Sequence, residues 1–251
     1  MSQAVLFLTH LRTPRVLAHF ERLRAEAGPV LPVFLGADDT AHVQLPPPGP
    51  QADFQVCVEA TQAMFPGLYP DYAPGRTDLI FLTMLMDPRL RAFDHVWIME
   101  YDVDYSGDWS EFFKGFENRR GDLVATRITH RSRHSTWFHW RDFASPPSVP
   151  ESRHIYAFMP MVRLSRAFIT AYIEARRRDL WQGHYEAILP SFALDAGFHI
   201  VDMGYGPYGS FFRRRLYRRR TFRFRPARPN YFHEVPAQFP LRSVLYHPVK
   251  L

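Results

Sequence analysis

Val96-Trp97-Ile98-Met99-Glu100-Tyr101-Asp102-Val103-Asp104-Tyr105-Ser106-Gly107-Asp108-Trp109 decides how this chain is read, because an apolar run breaks off there into acids. Four apolar residues in succession match a strand covered on both faces, ending where the polar residues begin. Asp102 and Asp104 stand two apart just past that end. In extended chain, side chains at i and i+2 point the same way, so both carboxylates are expected to face one cation. The carboxyl edge of an α/β sheet is also where such folds bind ligands. Two hard oxygen ligands on a short loop suit Mg²⁺ or Mn²⁺, which keep open positions for substrate phosphates. With fifteen aspartates in 251 residues, about one such pair arises by chance, so the pair takes its meaning from its surroundings. A solvated turn after a strand is the competing reading.

The flanks supply a β-α-β alternation. Ala4 to Thr9 reads as a buried strand, and Val16, Leu17, Phe20 and Leu23 mark an amphipathic helix over Thr13 to Ala27, stopped by Gly28-Pro29. Val30 to Leu35 reads as a second strand closing on Gly36-Ala37-Asp38-Asp39, and Gln44 to Pro50 as a proline-rich loop. A helix is expected from Arg76 to Met86, then the strand Val96 to Met99, a short helix from Trp109 to Glu117 and a strand Leu123 to Thr126. Beyond it, Trp137 to Trp140 and Ser145 to Pro150 read as an irregular loop. Ile155 to Val162 reads as a strand, Ser165 to Arg178 as a helix, a further helix runs from His184 or Tyr185 to Ala196, and His199 to Val201 is a strand. The pattern predicts an α/β fold with a mostly parallel central sheet flanked by helices, in one domain.

Composition narrows the class. Hydrophobic residues at 46% and charged residues at 22% are ordinary for a globular chain of this length. A single cysteine, Cys57, excludes an intramolecular disulfide. The start Met1-Ser2-Gln3-Ala4 lacks a basic signal-peptide region, and no apolar run approaches the roughly 20 residues of a membrane helix. A cytoplasmic location is therefore expected. The net charge of +6 belongs to one segment, because Arg213 to Arg228 holds nine arginines and no acid. Interleaved there with Phe and Tyr, these arginines suit an anionic membrane surface or, through phosphate contacts and base stacking, nucleic acid.

Four features together resemble a GT-A-type glycosyltransferase, a nucleotide-sugar-dependent enzyme on a Rossmann-like sheet. They are the amino-terminal strand-helix-strand ending at Asp38, the strand into Asp102-Val103-Asp104, the element His184-Tyr185-Glu186-Ala187-Ile188-Leu189-Pro190, and Tyr246-His247-Pro248-Val249-Lys250. Glu100 to Trp109 is also similar to bacterial proteins of surface polysaccharide assembly, some of them galactofuranosyltransferase-like.

The resemblance implies roles. Asp104 is the expected first metal ligand, with Asp102 on the metal or the ribose and His247 as the third ligand to Mn²⁺ or Mg²⁺. Lys250 would offset the diphosphate charge, and Glu100 would pair with an arginine or support the loop. Glu186 is the expected general base toward the acceptor hydroxyl, with Asp195 behind it. Thr9, His10 and Asp38, at the ends of the first two strands, would bracket the nucleoside, and Arg76 would meet the phosphates. Trp137, Phe138, Trp140 and Trp181 would stack on sugar rings or fill core.

The expected activity is metal-dependent hexosyl transfer, inverting, from a nucleotide diphosphate sugar, a UDP-sugar first, to a saccharide or lipid-linked glycan of surface polysaccharide or lipopolysaccharide. Residues 1–127 would hold the donor and 128–251 the acceptor. Residues 211–228 would place the protein peripherally on the inner face of the membrane, a context that points away from nucleic acid. The alternative is a non-catalytic membrane- or nucleic-acid-binding adaptor that uses the arginine segment.

Overall fold

A computed structural model describes residues 1–39, 52–68, 77–178, 180–204, 207–209, 216–218, 220–223 and 243–249. The elements follow in order: β1 (Gln3–Thr9), α1 (Pro14–Ala27), β2 (Val33–Asp38), β3 (Phe54–Val56), α2 (Val58–Met64), α3 (Thr77–Leu85), α4 (Pro88–Arg91), β4 (His95–Glu100), β5 (Asp104–Tyr105) and α5 (Trp109–Lys114). The second half adds β6 (Leu123–His130), β7 (Ile155–Ser165), α6 (Arg166–Arg177), α7 (Tyr185–Asp195), β8 (Ile200–Asp202) and β9 (Leu245–Tyr246). Local chemistry sets several helix starts. Thr13 caps α1 by accepting Val16 N–H at 3.3 Å ahead of Pro14, Asp108 caps α5 from Ser110 N–H at 2.7 Å, and Ser165 caps α6 from Phe168 N–H at 3.1 Å.

Seven strands form one sheet in the order β3-β2-β1-β4-β7-β6-β8, and β5 and β9 form a separate ribbon. The first four run parallel to one another, β7 is antiparallel to both β4 and β6, and β8 is parallel to β6. The expected mostly parallel α/β sheet is thus observed, with one reversal. Its cause lies in residues 131–154, which form only short 3₁₀ turns. Without a crossover helix, β7 returns beside β6 as an antiparallel neighbour. The three-residue β3 and the short α2 carry too little periodicity to be read from sequence.

The run at Val96–Met99 is apolar on both parities because both faces of β4 are covered. Val96 and Ile98 join the layer of α3, α6 and α7, while Trp97 and Met99 join that of α1 and α5. The fully buried Trp97 meets Phe112, Phe113 and Phe116 at ring distances of 4.8 to 5.6 Å. Burial of one such side chain contributes about 2–3 kcal/mol. Arg163 of β7 is buried too; its guanidinium donates to the carbonyls of Phe116 at 3.0 Å and Arg119 at 2.7 Å, and burial brings its pKa down to about 10. Among the described residues, no helix is long and apolar enough to cross a membrane.

Candidate metal centre and acid cleft

β4 delivers Glu100 to the carboxyl edge of the sheet, and the chain turns at once. Val103 N–H bonds back to the Glu100 carbonyl at 3.0 Å, and Tyr101 N–H ties the turn to Leu8. β5 then pairs antiparallel with β9, placing Asp104 opposite Tyr246. The ribbon is fastened on both sides: Val249 N–H donates to the Asp102 carbonyl at 2.8 Å and His247 N–H to the Thr221 carbonyl at 2.8 Å. These bonds carry His247 over the acidic turn. Its Nε2 faces Asp102 Oδ1 at 3.4 Å and Glu100 Oε2 at 3.8 Å.

Glu100, Asp102 and His247 offer one ligand atom each within 4.8 Å of one another, a set that can hold a metal ion. Two features fit the donor set to such an ion. His247 Nδ1 lies 2.7 Å from the Arg223 carbonyl, which only accepts, so Nδ1 carries a proton and Nε2 is left toward the carboxylates. Burial opposes protonation of this ring, yet the Asp102 and Glu100 charges outweigh it and hold the imidazole pKa up to about 9. The triad therefore already draws in positive charge. Two carboxylates and one imidazole suit Mn²⁺ or Mg²⁺, and the imidazole favours Mn²⁺.

Asp104, the expected first ligand, lies outside this triad. Its carboxylate pairs with Arg22 of α1 and accepts the Tyr105 N–H at 2.6 Å. The turn closed from Val103 N–H to the Glu100 carbonyl breaks the extended alternation before Asp102, so the parity argument reaches neither aspartate, and Glu100 and Asp102 meet through the turn itself. Glu100, expected as a supporting residue, stands in the triad instead.

α7 brings the next carboxylate. His184 caps this helix by accepting Glu186 N–H at 3.2 Å, and Tyr185 O–H donates to Glu100 Oε1 at 3.3 Å. Glu186 is buried, with Oε1 accepting Met159 N–H from β7 at 2.8 Å. Burial pushes its carboxyl up to about 8, the Glu100 charge adding to the rise while the Met159 N–H, His247 and Arg127 work against it. Glu186 is thus in electrostatic contact with the triad. Asp195 sits at the other end of α7.

The other expected residues scatter. The Thr9 hydroxyl is committed to Leu11, accepting its N–H at 2.9 Å, and exposed His10 sets its ring edge-on to Tyr101 at 5.1 Å. Asp38 ends β2, but its neighbour Asp39 is the buried acid there, paired with Arg12 and Gln55. Asp39 follows the end of β2, Arg12 lies in the loop after β1 and Gln55 lies within β3, so no local pattern in the sequence joins the three. Arg76 and Lys250 lie outside the described residues, as do 211–215, 219 and 224–228 of the arginine segment. Trp137, Trp140 and Trp181 are buried and serve as core, whereas Phe138 is 61% exposed.

No protein-family model matches the sequence, and no curated protein matches it. In structure, the chain is similar to the galactosyltransferase LgtC in complex with donor and acceptor sugar analogues, at 12% identity and a TM-score of 0.42, covering 80% of this chain and 73% of that one. It is also similar to mouse xyloside xylosyltransferase 1 in its apo form, at 11% identity and a TM-score of 0.42, covering 81% and 84%. At this level of identity and superposition the likeness says nothing of activity.

Proposed function

We propose that this chain is a metal-dependent glycosyltransferase that moves a sugar from a nucleotide diphosphate donor to a saccharide or lipid-linked hydroxyl. The observation that carries the reading is the convergence of Glu100, Asp102 and His247 at the carboxyl edge of β4, with Glu186 beside them. These three residues would hold Mn²⁺ or Mg²⁺, and Asp104 would act through Arg22 to hold the ribbon. When bound, the ion supplies charge that stabilises a departing diphosphate. The chain's own residues do the rest. His247 keeps Nε2 toward the ion because Nδ1 is held by Arg223. Tyr185 of α7 holds Glu100 in place through its hydroxyl. Glu186 takes the proton of the acceptor hydroxyl in its ionised form, and with its carboxyl raised to about 8 that form is the minor one at pH 7, so transfer should quicken as pH rises toward 8. Attack assisted by a base on the acceptor side gives inversion.

The donor would be a UDP-sugar, the transferred group a hexosyl unit, and the product a surface polysaccharide made at the inner face of the membrane. Both halves of one domain would meet at the ion, since Glu100 and Asp102 come from the first and His247 from the second. The test is calorimetric titration of UDP, GDP and CMP into the protein with and without Mn²⁺, with Asp102→Asn as control. Binding of one nucleotide that needs both Mn²⁺ and Asp102 supports the reading. Absence of nucleotide binding by a folded, Mn²⁺-loaded protein refutes it.

A further inference from the structure

Arg127 adopts a left-handed backbone, φ +52°, in the middle of β6. The register with β7 shifts there, from Thr126 opposite Phe158 to Thr129 opposite Tyr156, so Arg127 and Ile128 together face a single residue. This is a β-bulge with its strained position held by arginine, where glycine would sit without strain. Such strain persists only where the surroundings enforce it.

Here a buried relay enforces it. Arg127 N–H donates to the Tyr217 hydroxyl at 2.8 Å, and that hydroxyl donates to Asp202 Oδ1 at 2.9 Å. Asp202 Oδ2 accepts the Ile128 N–H at 2.8 Å, and Gly204 N–H donates to Oδ1 at 2.6 Å. Asp202 is 2% exposed. A Cβ at Gly204 would stand 2.8 Å from the Tyr217 ring, so the glycine is what lets the tyrosine reach the bulge. Three residues, Asp202, Gly204 and Tyr217, are thus spent on holding the backbone of Arg127 and Ile128.

The bulge sets the guanidinium within electrostatic reach of Glu186, beside the metal-centre residues. It lies over the Phe158 ring, 5.6 Å from its centre, and the same ring meets the His247 imidazole edge-on at 5.2 Å. Glu100, Asp102 and Glu186 gather acids at this centre, where a metal ion would offset them, and a planar guanidinium recognises phosphate oxygens through paired donors.

We infer that Arg127 is a phosphate-binding residue beside the metal centre, held in place by Asp202 and Tyr217 as positioning residues, and that its ligand is the diphosphate of the sugar donor. This rests on the function proposed above. The test is calorimetry with Mn²⁺ present, using UDP and GDP, and inorganic pyrophosphate as a probe without a nucleoside. Arg127→Gly relieves the backbone while removing the guanidinium. It is expected to keep or raise the melting temperature and to weaken nucleoside diphosphate and pyrophosphate binding by about 10- to 100-fold.

Tyr217→Phe is expected to weaken the same probes with Arg127 present and to add nothing in the Arg127→Gly background, a coupling that a merely structural tyrosine would not show. Wild-type affinity in Arg127→Gly would overturn the inference and leave the proposed function standing. Loss of UDP or GDP binding with pyrophosphate binding unchanged would also overturn it, because the contact would then lie with the nucleoside. A wild-type protein that binds none of the probes overturns both.

Discussion

Metal binding at the triad should be a proton exchange. His247 must give up its Nε2 proton to become a ligand, and its pKa is held at about 9 in the metal-free protein. At pH 7 the ring is then charged in about 99 of 100 molecules. Displacing that proton costs roughly 3 kcal/mol, two pH units at about 1.4 kcal/mol each. At pH 8 the cost falls to about half, so apparent Mn²⁺ affinity should rise close to tenfold per pH unit between 6.5 and 8. The assay is calorimetric titration of Mn²⁺ at pH 7 in two buffers of different ionisation enthalpy, repeated at half-unit steps. About one proton should be released per ion bound, and His247→Asn should abolish the release. A Mn²⁺ affinity flat across this range, or binding without proton release, would refute the assignment of His247 as a ligand.

Stability should follow the same groups in the metal-free protein. His247 and Glu186 both have folded pKa values raised above their unfolded ones, so their contribution is full at low pH and is lost as pH rises toward 8 and 9. His184, buried and lowered to about 3, works the other way, its contribution fading as pH falls below 6.5. Thermal melts should therefore rise to about pH 4.5, stay level to about 6.5 and fall above it, and saturating Mn²⁺ should flatten the alkaline limb. Asp104→Asn should leave Mn²⁺ affinity within about twofold and cost at most about 1 kcal/mol in denaturant melts, because the Arg22 side of its ion pair is partly exposed; an affinity loss equal to that of Asp102→Asn would return Asp104 to the ligand set. Glu186→Gln keeps an acceptor for Met159 N–H and should melt within about 1 kcal/mol of wild type at pH 7, yet abolish sugar transfer with Mn²⁺ binding intact. Retained transfer would remove Glu186 as the base.

The sheet was legible because its cause is written locally. Val96 to Met99 is apolar on both parities since helices cover both faces of β4, and the acids begin where that cover ends. The same sequence logic put acids at this edge and brought Glu186 to the start of a helix, where the structure has it. What it did not reach are features set by distant chain. The turn at 101–103 depends on Leu8, and Asp104 meets Arg22 only after α1 has docked. His247 entered through a resemblance alone, as no local pattern tells which side chain a late ribbon will lay over a turn. The bulge at Arg127 is hidden further, because nothing near it in sequence signals Asp202 or Tyr217.

The β5–β9 ribbon also sets an order of events. Its two strands are separated by most of the second half of the chain, and closing so long a loop comes late in folding. The seven-stranded sheet has no such dependence, since β9 is not among its members. A chain stopped before Ser243 should thus still collapse onto its central sheet while lacking the imidazole and the backbone clasp at Asp102. Structural integrity and competence to hold an ion become separately acquired properties, and the second arrives only when the final ribbon snaps shut.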